Sequence, residues 1–230
     1  SAGRFGEAIE LYEQVLAEYE RVLGADHPDM LIRNNLAVAY LSVGRFGEAI
    51  ELFEQVLAEY ERVLGSDHPD TLTVRNNLAG AYDSAGRLAE AIDAWKELLP
   101  DCQRILGADH PDTLAVRNNL AVAYYSVGRF GEAVELFEQV LAERKRLLGS
   151  DHPDTLNTRN NLAVAYDSVG RFAEAVDAWE ELLPDCQRVL GADHPDTLAV
   201  RNNLAHAYDS VGRFGEAIEL FERVLAEQER

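Results

Sequence analysis

A four-residue sequence, Asp-His-Pro-Asp, recurs along the chain at an almost constant interval. Its histidines are His27, His68, His110, His152 and His194, so the spacing is 41 residues once and 42 residues three times. A fixed period of about 40 residues indicates stacked structural repeats, since one such unit cannot bury its apolar face alone. The sequence therefore predicts a single repeat array over 1–230. It comprises a partial repeat at 1–24 and five repeats at 25–65, 66–107, 108–149, 150–191 and 192–230.

Each period reads as two helices joined by a short turn. The first helix begins at the proline of the tetrad and ends near a glycine, as in 111–128, because Pro suits the first helical position and Gly the end. We expect His110 to be the N-cap and Asp112 to lie in the first turn, where the helix dipole favours an anion. The second helix has apolar residues three or four apart, such as Phe53 and Val56, opposite a row of glutamates. These patterns predict an all-α fold, an α-solenoid of antiparallel helix pairs with 11 helices.

The second helices are of two kinds. Three share Gly-Glu-Ala-x-Glu-Leu-Phe-Glu, and two share Ala-Glu-Ala-x-Asp-Ala-Trp followed by Leu-Leu-Pro-Asp-Cys-Gln-Arg. Proline removes a backbone donor and clashes with the preceding turn, so Pro100 and Pro184 predict a kink or a break, with the cysteine-containing extension as a new turn. Cys102 and Cys186 fall at the border of the apolar stripe. Their spacing fits neither a disulfide framework nor a metal site.

The charge balance excludes several classes of partner. Lys and Arg number 21 against 41 Asp and Glu, which gives a net charge of −20. Such a chain repels phosphate backbones and anionic lipid surfaces, and its apolar runs fall short of the roughly 20 residues of a membrane span. We therefore expect neither nucleic acid nor a membrane as a partner. The use of cysteine favours a reducing compartment, and hence a cytoplasmic location.

The tetrads are also candidate metal sites, since each places a His between two carboxylates. Each copy offers at most one His and two Asp, and neighbouring copies should lie about 20 Å apart if two packed helices separate them. Metal ligands must instead converge within about 2 Å of one ion. The sequence also has no phosphate-binding glycine loop and no His-Glu-x-x-His. We predict no metal, no cofactor and no enzymatic activity.

Two segments of each period resemble a known repeat family. Residues 35–40, Asn-Leu-Ala-Val-Ala-Tyr, and 44–50, Gly-Arg-Phe-Gly-Glu-Ala-Ile, are similar to the two helices of the tetratricopeptide repeat. That repeat usually has about 34 residues, whereas this one has 42. The ending Leu-Gly-x-Asp-His-Pro-Asp resembles kinesin light chains and the 42-residue repeats of many bacterial proteins. The resemblance implies a right-handed superhelix that acts as a non-catalytic protein-interaction scaffold, and it implies a bacterial source.

The same resemblance implies where a partner would bind. In tetratricopeptide proteins the first helix lines a concave groove, and residues near the paired asparagines bind the backbone of an extended peptide. We therefore predict a groove for a peptide or a helical segment, lined by the first Asn of each pair and by the residues four and seven positions further on. The candidates are Asn34, Asn76, Asn118, Asn160, Asn202, Val38, Gly80, Val122, Val164, His206, Leu41, Asp83, Tyr125, Asp167 and Asp209.

Two features of the first helix leave alternatives open. The second Asn of each pair could equally tie adjacent helices together; these residues are Asn35, Asn77, Asn119, Asn161 and Asn203. The arginine before each pair, such as Arg75 or Arg159, could form a basic ladder, but its place beside the apolar stripe favours aliphatic packing and a carboxylate partner. Lys and Arg are absent from the candidate groove positions. We therefore do not expect a chaperone-type carboxylate clamp.

The first and last helices suggest a second hypothesis, self-association. Terminal solenoid helices usually have a polar outer face, yet both of these read as interior helices. Two different apolar end surfaces would associate head to tail, and salt would favour this by screening the net charge. The candidate residues are Phe5, Ala8, Ile9, Phe214, Ala217 and Phe221. A third hypothesis is a regulatory repeat domain of a larger ATPase.

Overall fold

The structure is a computed structural model that describes the backbone of residues 2–23 and 30–228 and the side chains of residues 6–19, 21–22 and 30–222. The first tetrad, around His27, and the side chain of Phe5 lie outside these residues. Within the described ranges, the chain forms 11 α-helices. They are α1 (Ala2–Leu23), α2 (Met30–Ser42), α3 (Phe46–Leu64), α4 (Pro69–Ser84), α5 (Leu88–Ile105), α6 (Pro111–Ser126), α7 (Phe130–Leu148), α8 (Pro153–Ser168), α9 (Phe172–Val189), α10 (Pro195–Ser210) and α11 (Phe214–Gln228).

First and second helices of the repeats alternate along the chain, as the sequence predicted. The predicted all-α solenoid of helix pairs is thereby confirmed. Even-numbered helices are the first helices of their repeats and odd-numbered helices are the second. The chain divides into two compact units, residues 1–123 and 124–230, with the boundary inside α6. In the first unit each helix from α1 to α4 packs on the next, and α2 also contacts α4. In the second unit α7 to α11 pack in the same way, and α8 contacts α10.

The tetrad begins four of the first helices, α4, α6, α8 and α10, by a local capping interaction. His68, His152 and His194 are N-cap residues with extended backbone, and Pro follows each of them at the first helical position. In each case Nδ1 of the histidine accepts the backbone N–H two residues later at 3.2 Å. His110 makes the same bond with the N–H of Asp112. One orphan donor of the helix start is thereby satisfied, which confirms the predicted cap.

A glycine in the left-handed region ends each first helix. Gly86, after α4, has φ of +74°, a conformation that costs a residue with a Cβ about 1–2 kcal/mol. The next N–H, of Arg87, bonds back to the Tyr82 carbonyl at 2.8 Å, and the Gly86 N–H bonds to the Asp83 carbonyl at 2.9 Å. These two bonds close the helix and allow α5 to begin two residues later.

Of the predicted kink or break at the internal prolines, the break and the new turn after it are wrong. Helix α5 continues through Pro100 to Ile105, and α9 continues through Pro184 to Val189. Leu182 and Cys186 of α9, two positions before and two positions after Pro184, are buried in the core of the second unit. Pro184 itself is exposed, so water can solvate the carbonyl that its missing N–H leaves unpaired. Core packing thus holds the helix together across the proline.

Each unit has its own core between the first and second helices. In the first unit the core includes Phe53 and Val56 of α3, which are fully buried beside Leu36 of α2. In the second unit Trp179 and Leu182 of α9 occupy the corresponding place. Among the described residues, no helix combines the length and the hydropathy that spanning a membrane requires.

Candidate functional site

We call the fifteen predicted groove residues the first-helix face; eight belong to the first unit and seven to the second, and each unit has its own part of the face. All of them lie on α2, α4, α6, α8 or α10, and each is at least partly exposed in the described structure. In the first unit the residues of α2 and α4 lie on neighbouring helices, as do those of α8 and α10 in the second unit. The most exposed positions are Val38, Asn202, His206 and Asp209.

The paired asparagines are linked to one another between repeats. Asn77 of α4 donates its Nδ2–H to Oδ1 of Asn34 on α2 at 3.3 Å, and Asn203 of α10 donates to Asn160 of α8 at the same distance. The second Asn of these pairs therefore ties adjacent first helices together. Asn161 differs, since it donates to Asn157 on its own helix at 3.1 Å.

Where the second helix carries tryptophan, the first Asn has an additional partner. Trp95 donates its indole N–H to Oδ1 of Asn76 at 2.8 Å, and Asn119 donates to the same oxygen at 3.4 Å. Since the indole only donates, it fixes which end of the amide is the oxygen. The Asn76 oxygen therefore accepts hydrogen bonds from within the protein, and the NH₂ group of Asn76 points away from the indole.

A carboxylate of the first-helix face has an unsatisfied oxygen. Among the described residues, Oδ1 of Asp167 is buried and has no hydrogen-bond partner. Asp83, at the corresponding position of α4, is half-buried, and burial raises the pKa of its carboxyl group. Buried acceptors are nearly always paired in folded proteins. Asp167 is therefore an exception to this rule, and Asp83 is partly desolvated.

The arginine before each Asn pair has a carboxylate partner where the second helix is of the cysteine kind. Arg75 pairs with Asp101 at 2.8 Å and Arg159 with Asp185 at 2.7 Å. Arg188 pairs with Asp185 as well, at 2.8 Å. These contacts hold the pKa of Asp185 below its usual value, the Arg159 bond contributing most. The predicted carboxylate partner is thus confirmed at Arg75 and Arg159.

Sequence reasoning missed a second tie between consecutive repeats. The hydroxyl of Tyr208 donates to Oε1 of Glu180 on the preceding helix at 2.8 Å. The Arg213 guanidinium lies 4.2 Å from the centre of the same ring and pairs with Glu180 and Glu216. Burial, with the Glu180 bond second, raises the pKa of Tyr208 to about 12. The sequence feature that could have revealed this tie is the constant spacing of five residues between this Tyr and the Arg of the following turn.

Sequence reasoning also missed a pair of small clefts. In the second unit a cleft of about 70 Å³ lies between α8, α9 and α10, with Asn160, Cys186 and Val200 among its lining residues. The equivalent cleft in the first unit, about 40 Å³, includes Asn76 and Cys102. Both cysteines are free and buried. Burial raises the pKa of Cys102 to about 11, so its thiol stays protonated.

The predicted self-association residues differ in their accessibility. Ile9 and Ala217 are buried in the cores of their units, because they face α2 and α10, and neither side chain is available to a second copy. Ala8 and Phe221 are half-buried, whereas Phe214 is exposed. His206 lies edge-on against the Phe221 ring, with ring centres 5.2 Å apart.

The tetrad histidines and aspartates do not converge. In the described tetrads each histidine uses Nδ1 for its cap. The nearest carboxylate of His68, that of Asp70, lies 3.8 Å away. No group of three or more His, Cys, Asp or Glu side chains in the described residues has a geometry that could hold a metal ion.

Comparisons with known proteins agree with this architecture. A tetratricopeptide repeat family model matches residues 1–58, 29–100 and 168–229, and a second tetratricopeptide repeat model matches 113–154. Stacked antiparallel helix pairs make the protein an α-solenoid repeat protein. The chain belongs to the tetratricopeptide repeat family, of the 42-residue, kinesin light chain-like type. A search of curated proteins gives no match.

Solved structures with the same fold include one with substantial sequence identity. A kinesin light chain-type protein of Podosopora anserina with nearly identical TPR-like repeats is 38% identical, with a TM-score of 0.78; the match covers 88% of this chain and 97% of that one. BtubC (BKLC) from P. vanneervenii is 21% identical, with a TM-score of 0.82 and 98% and 91% coverage, and shows likeness of fold alone. MamA from AMB-1 is 25% identical, with a TM-score of 0.56 and 87% and 92% coverage.

Family membership defines the broad function. Tetratricopeptide repeats generally mediate protein–protein interactions, and proteins built from them are generally non-catalytic scaffolds. The protein is therefore a protein-interaction scaffold.

Proposed function

We propose that the first-helix face binds a neutral or cationic polypeptide segment, either an extended peptide or a helix, of a partner protein. The observation that carries this proposal is the set of carboxylates on this face: Asp83 and Asp167, which are half-buried, and Asp209, which is exposed. N–H groups or cationic side chains of a partner would pair with these carboxylates. Anionic groups of a partner, such as a phosphate or a carboxylate, would be repelled by the carboxylates of the face.

The charges of the face support the same choice of partner. Its fifteen residues include Asp83, Asp167 and Asp209, and they include neither Lys nor Arg. The net charge of −20 extends this field over the whole chain and favours the approach of cationic segments at low salt.

The asparagines would contribute directional donors. Asn76 and Asn160 each give their Oδ1 to a tryptophan indole, which leaves the NH₂ group to bind a backbone carbonyl of the partner. The amide thus donates to the partner and accepts from within the protein.

A displayed library of random 12-residue peptides tests the proposal. We expect the protein to enrich peptides with Lys or Arg, and we expect their affinity to fall as salt screens the face. The double variant Asp83→Asn, Asp167→Asn removes two carboxylates from the face and should weaken these peptides about ten-fold or more. The matched control, Asp93→Asn with Asp177→Asn, removes the same charge from exposed positions of α5 and α9. Equal weakening by both double variants would refute a site on the first-helix face.

The asparagine donors can be tested separately. Asn160→Asp keeps an oxygen for the Trp179 indole but replaces the NH₂ group by an acceptor. We expect it to weaken the selected peptides at high salt, where the attraction of the added negative charge is screened, while the free energy of unfolding changes little. Gln139→Glu adds the same charge at an exposed position of α7 and serves as the control. Peptide affinity that is unaffected in Asn160→Asp would exclude this donor from the site.

We propose head-to-tail self-association as a second candidate function, and the exposure of Phe214, 59%, and Ile218, 57%, on α11 favours it. Sedimentation velocity over a wide concentration range at low and high salt tests it. The fraction of larger species should grow with protein concentration and with salt concentration. These species should be absent from the Phe214→Glu variant. A constant monomer at high concentration in high salt would exclude self-association.

A further inference from the structure

One position of the second helix differs between repeats in a way that changes the packing around it. The residue is Tyr60 in α3, Cys102 in α5, Arg144 in α7 and Cys186 in α9, and all four are buried. We call it the variable position. It lies near the end of the second helix, opposite the start of the next first helix.

The two large residues fill this space. Arg144 donates from Nη1 to the Asp154 carbonyl at 3.0 Å and to Oγ1 of Thr158 at 2.7 Å, both at the start of α8. Tyr60 is buried in the same core cluster as Val74 of α4, the residue that corresponds to Thr158, so Tyr60 lies in the equivalent place. Tyrosine and arginine thus extend across the gap to the next first helix.

The small residue leaves the gap open. With Cys186 at the variable position, the cleft of about 70 Å³ includes Asp196 and Val200 in its lining. These two residues correspond to Asp154 and Thr158, the residues that Arg144 touches. The cleft at Cys102, about 40 Å³, includes Asp112 and Val116 in the same roles. The clefts are therefore the volumes that Tyr60 and Arg144 occupy in the other repeats.

The walls indicate what each cleft can hold. Leu156, Cys186 and Val200 form a buried, apolar floor, whereas Ala199 and Asp196 are exposed at the rim. A dry protein cavity of about 150 Å³ holds benzene, which has six carbon atoms. By proportion, the larger cleft accommodates about three carbon atoms, as in the side chain of valine, and the smaller one about a methyl group, as in alanine.

The larger cleft also adjoins the proposed binding face. Asn160 belongs both to the first-helix face and to the wall of the cleft, and Asn76 does the same in the first unit. We propose that each cleft is a size-selective subsite that takes a short aliphatic side chain, valine or alanine, of the bound polypeptide. The rim carboxylates, Asp112 and Asp196, favour Lys or Arg beside that residue. This inference rests on the proposed function, since a bound polypeptide must supply the side chain.

The chain itself provides the variant that closes the clefts. Cys102→Tyr with Cys186→Tyr copies the pairing of Tyr60 with Val74, because Val116 and Val200 already stand at the matching positions. Wild-type protein should enrich random peptides with Val or Ala next to Lys or Arg. The double tyrosine variant should lose the preference for Val or Ala and bind those peptides about ten-fold more weakly. Cys186→Ala, which enlarges the cleft, should shift the preference towards larger aliphatic residues.

Xenon binding tests the clefts without any peptide, since xenon enters small apolar cavities. Xenon NMR should show a bound population in the wild type that is lost in the double tyrosine variant. Urea unfolding should confirm that the variant remains folded. If wild type and variant select the same peptides with the same affinity, or bind xenon equally, the subsites are wrong while the peptide-binding face stands. If the wild type enriches no peptide, the proposed function fails and the subsites fail with it.

Discussion

Trp179 donates its indole N–H to Oδ1 of Asn160 across 3.0 Å, and the same oxygen accepts from Nδ2 of Asn203 at 3.3 Å. One side-chain oxygen therefore joins α8, α9 and α10. The repeat before it has Phe137 in place of the tryptophan, and phenylalanine has no donor for such a bond. The tryptophan thus adds a polar link to a position that otherwise serves only packing.

Trp179→Phe is expected to lower the free energy of unfolding by about 1–2 kcal/mol, because Asn160 loses one of its two donors inside the protein. Urea unfolding followed by circular dichroism measures the change. Asn160→Ala supplies the second arm of a double-mutant cycle. If the two effects add fully in the double variant, the indole bond does not contribute.

Asp185 is expected to make the second unit sensitive to acid. Arg159, and then Arg188, holds the pKa of its carboxyl group below the usual value. A carboxyl group with a lowered pKa stabilises the folded state at neutral pH, and that stabilisation is lost as pH falls below about 4 towards the folded-state pKa. Asp185→Asn should therefore cost about 1–3 kcal/mol at neutral pH and flatten the fall in stability on acidification.

The control for this prediction is Asp177→Asn, which removes a carboxylate from an exposed position of the same helix. It should leave both the neutral stability and the acid dependence nearly unchanged, because exposed charges contribute little. Urea unfolding at a series of pH values measures all three proteins. Identical acid dependence in Asp185→Asn and wild type would contradict the role of the Arg159 pair.

Replacement of Pro184 by alanine is expected to stabilise the protein. The helix is continuous at this position, so the alanine N–H can bond to the carbonyl of residue 180. The gain should be about 1–3 kcal/mol, the range that an internal proline costs. The chain has alanine at the matching position of α7, residue 142. Ala142→Pro should accordingly destabilise by a similar amount, and thermal unfolding measures both. Unchanged stability in both variants would show that the unpaired carbonyl has no cost.

His152→Ala is expected to lower the free energy of unfolding by about 1 kcal/mol, since the N–H of Asp154 loses its acceptor at the start of α8. His152→Asn should retain most of the stability, because the asparagine side chain also caps well. Amide hydrogen exchange at Asp154 provides a local measurement. Equal exchange rates in the alanine and asparagine variants would argue against capping by the side chain.

Several features could be predicted from sequence because they depend on neighbours in the chain. The period gave the helix pairs, and the His-Pro-Asp order gave the caps, since a cap involves residues two positions apart. The carboxylate partner of Arg159 was predictable in kind, because an arginine beside an apolar stripe needs a counterion. The predicted break at Pro184 was wrong, because the local rule omits the burial of Leu182 and Cys186 on either side.

Sequence by itself determined the repeat, the order and type of the helices, the capping residues and the acidic charge, all of which follow from composition or from short-range spacing. Only the tertiary structure decided that Asn160 accepts from Trp179, that Asp167 has an unpaired oxygen, and that Cys186 opens a cleft. These features depend on atoms brought together from two or three helices. Whether a position is filled or empty is a property of its surroundings, and the same position holds a tyrosine, an arginine or a cysteine along this chain.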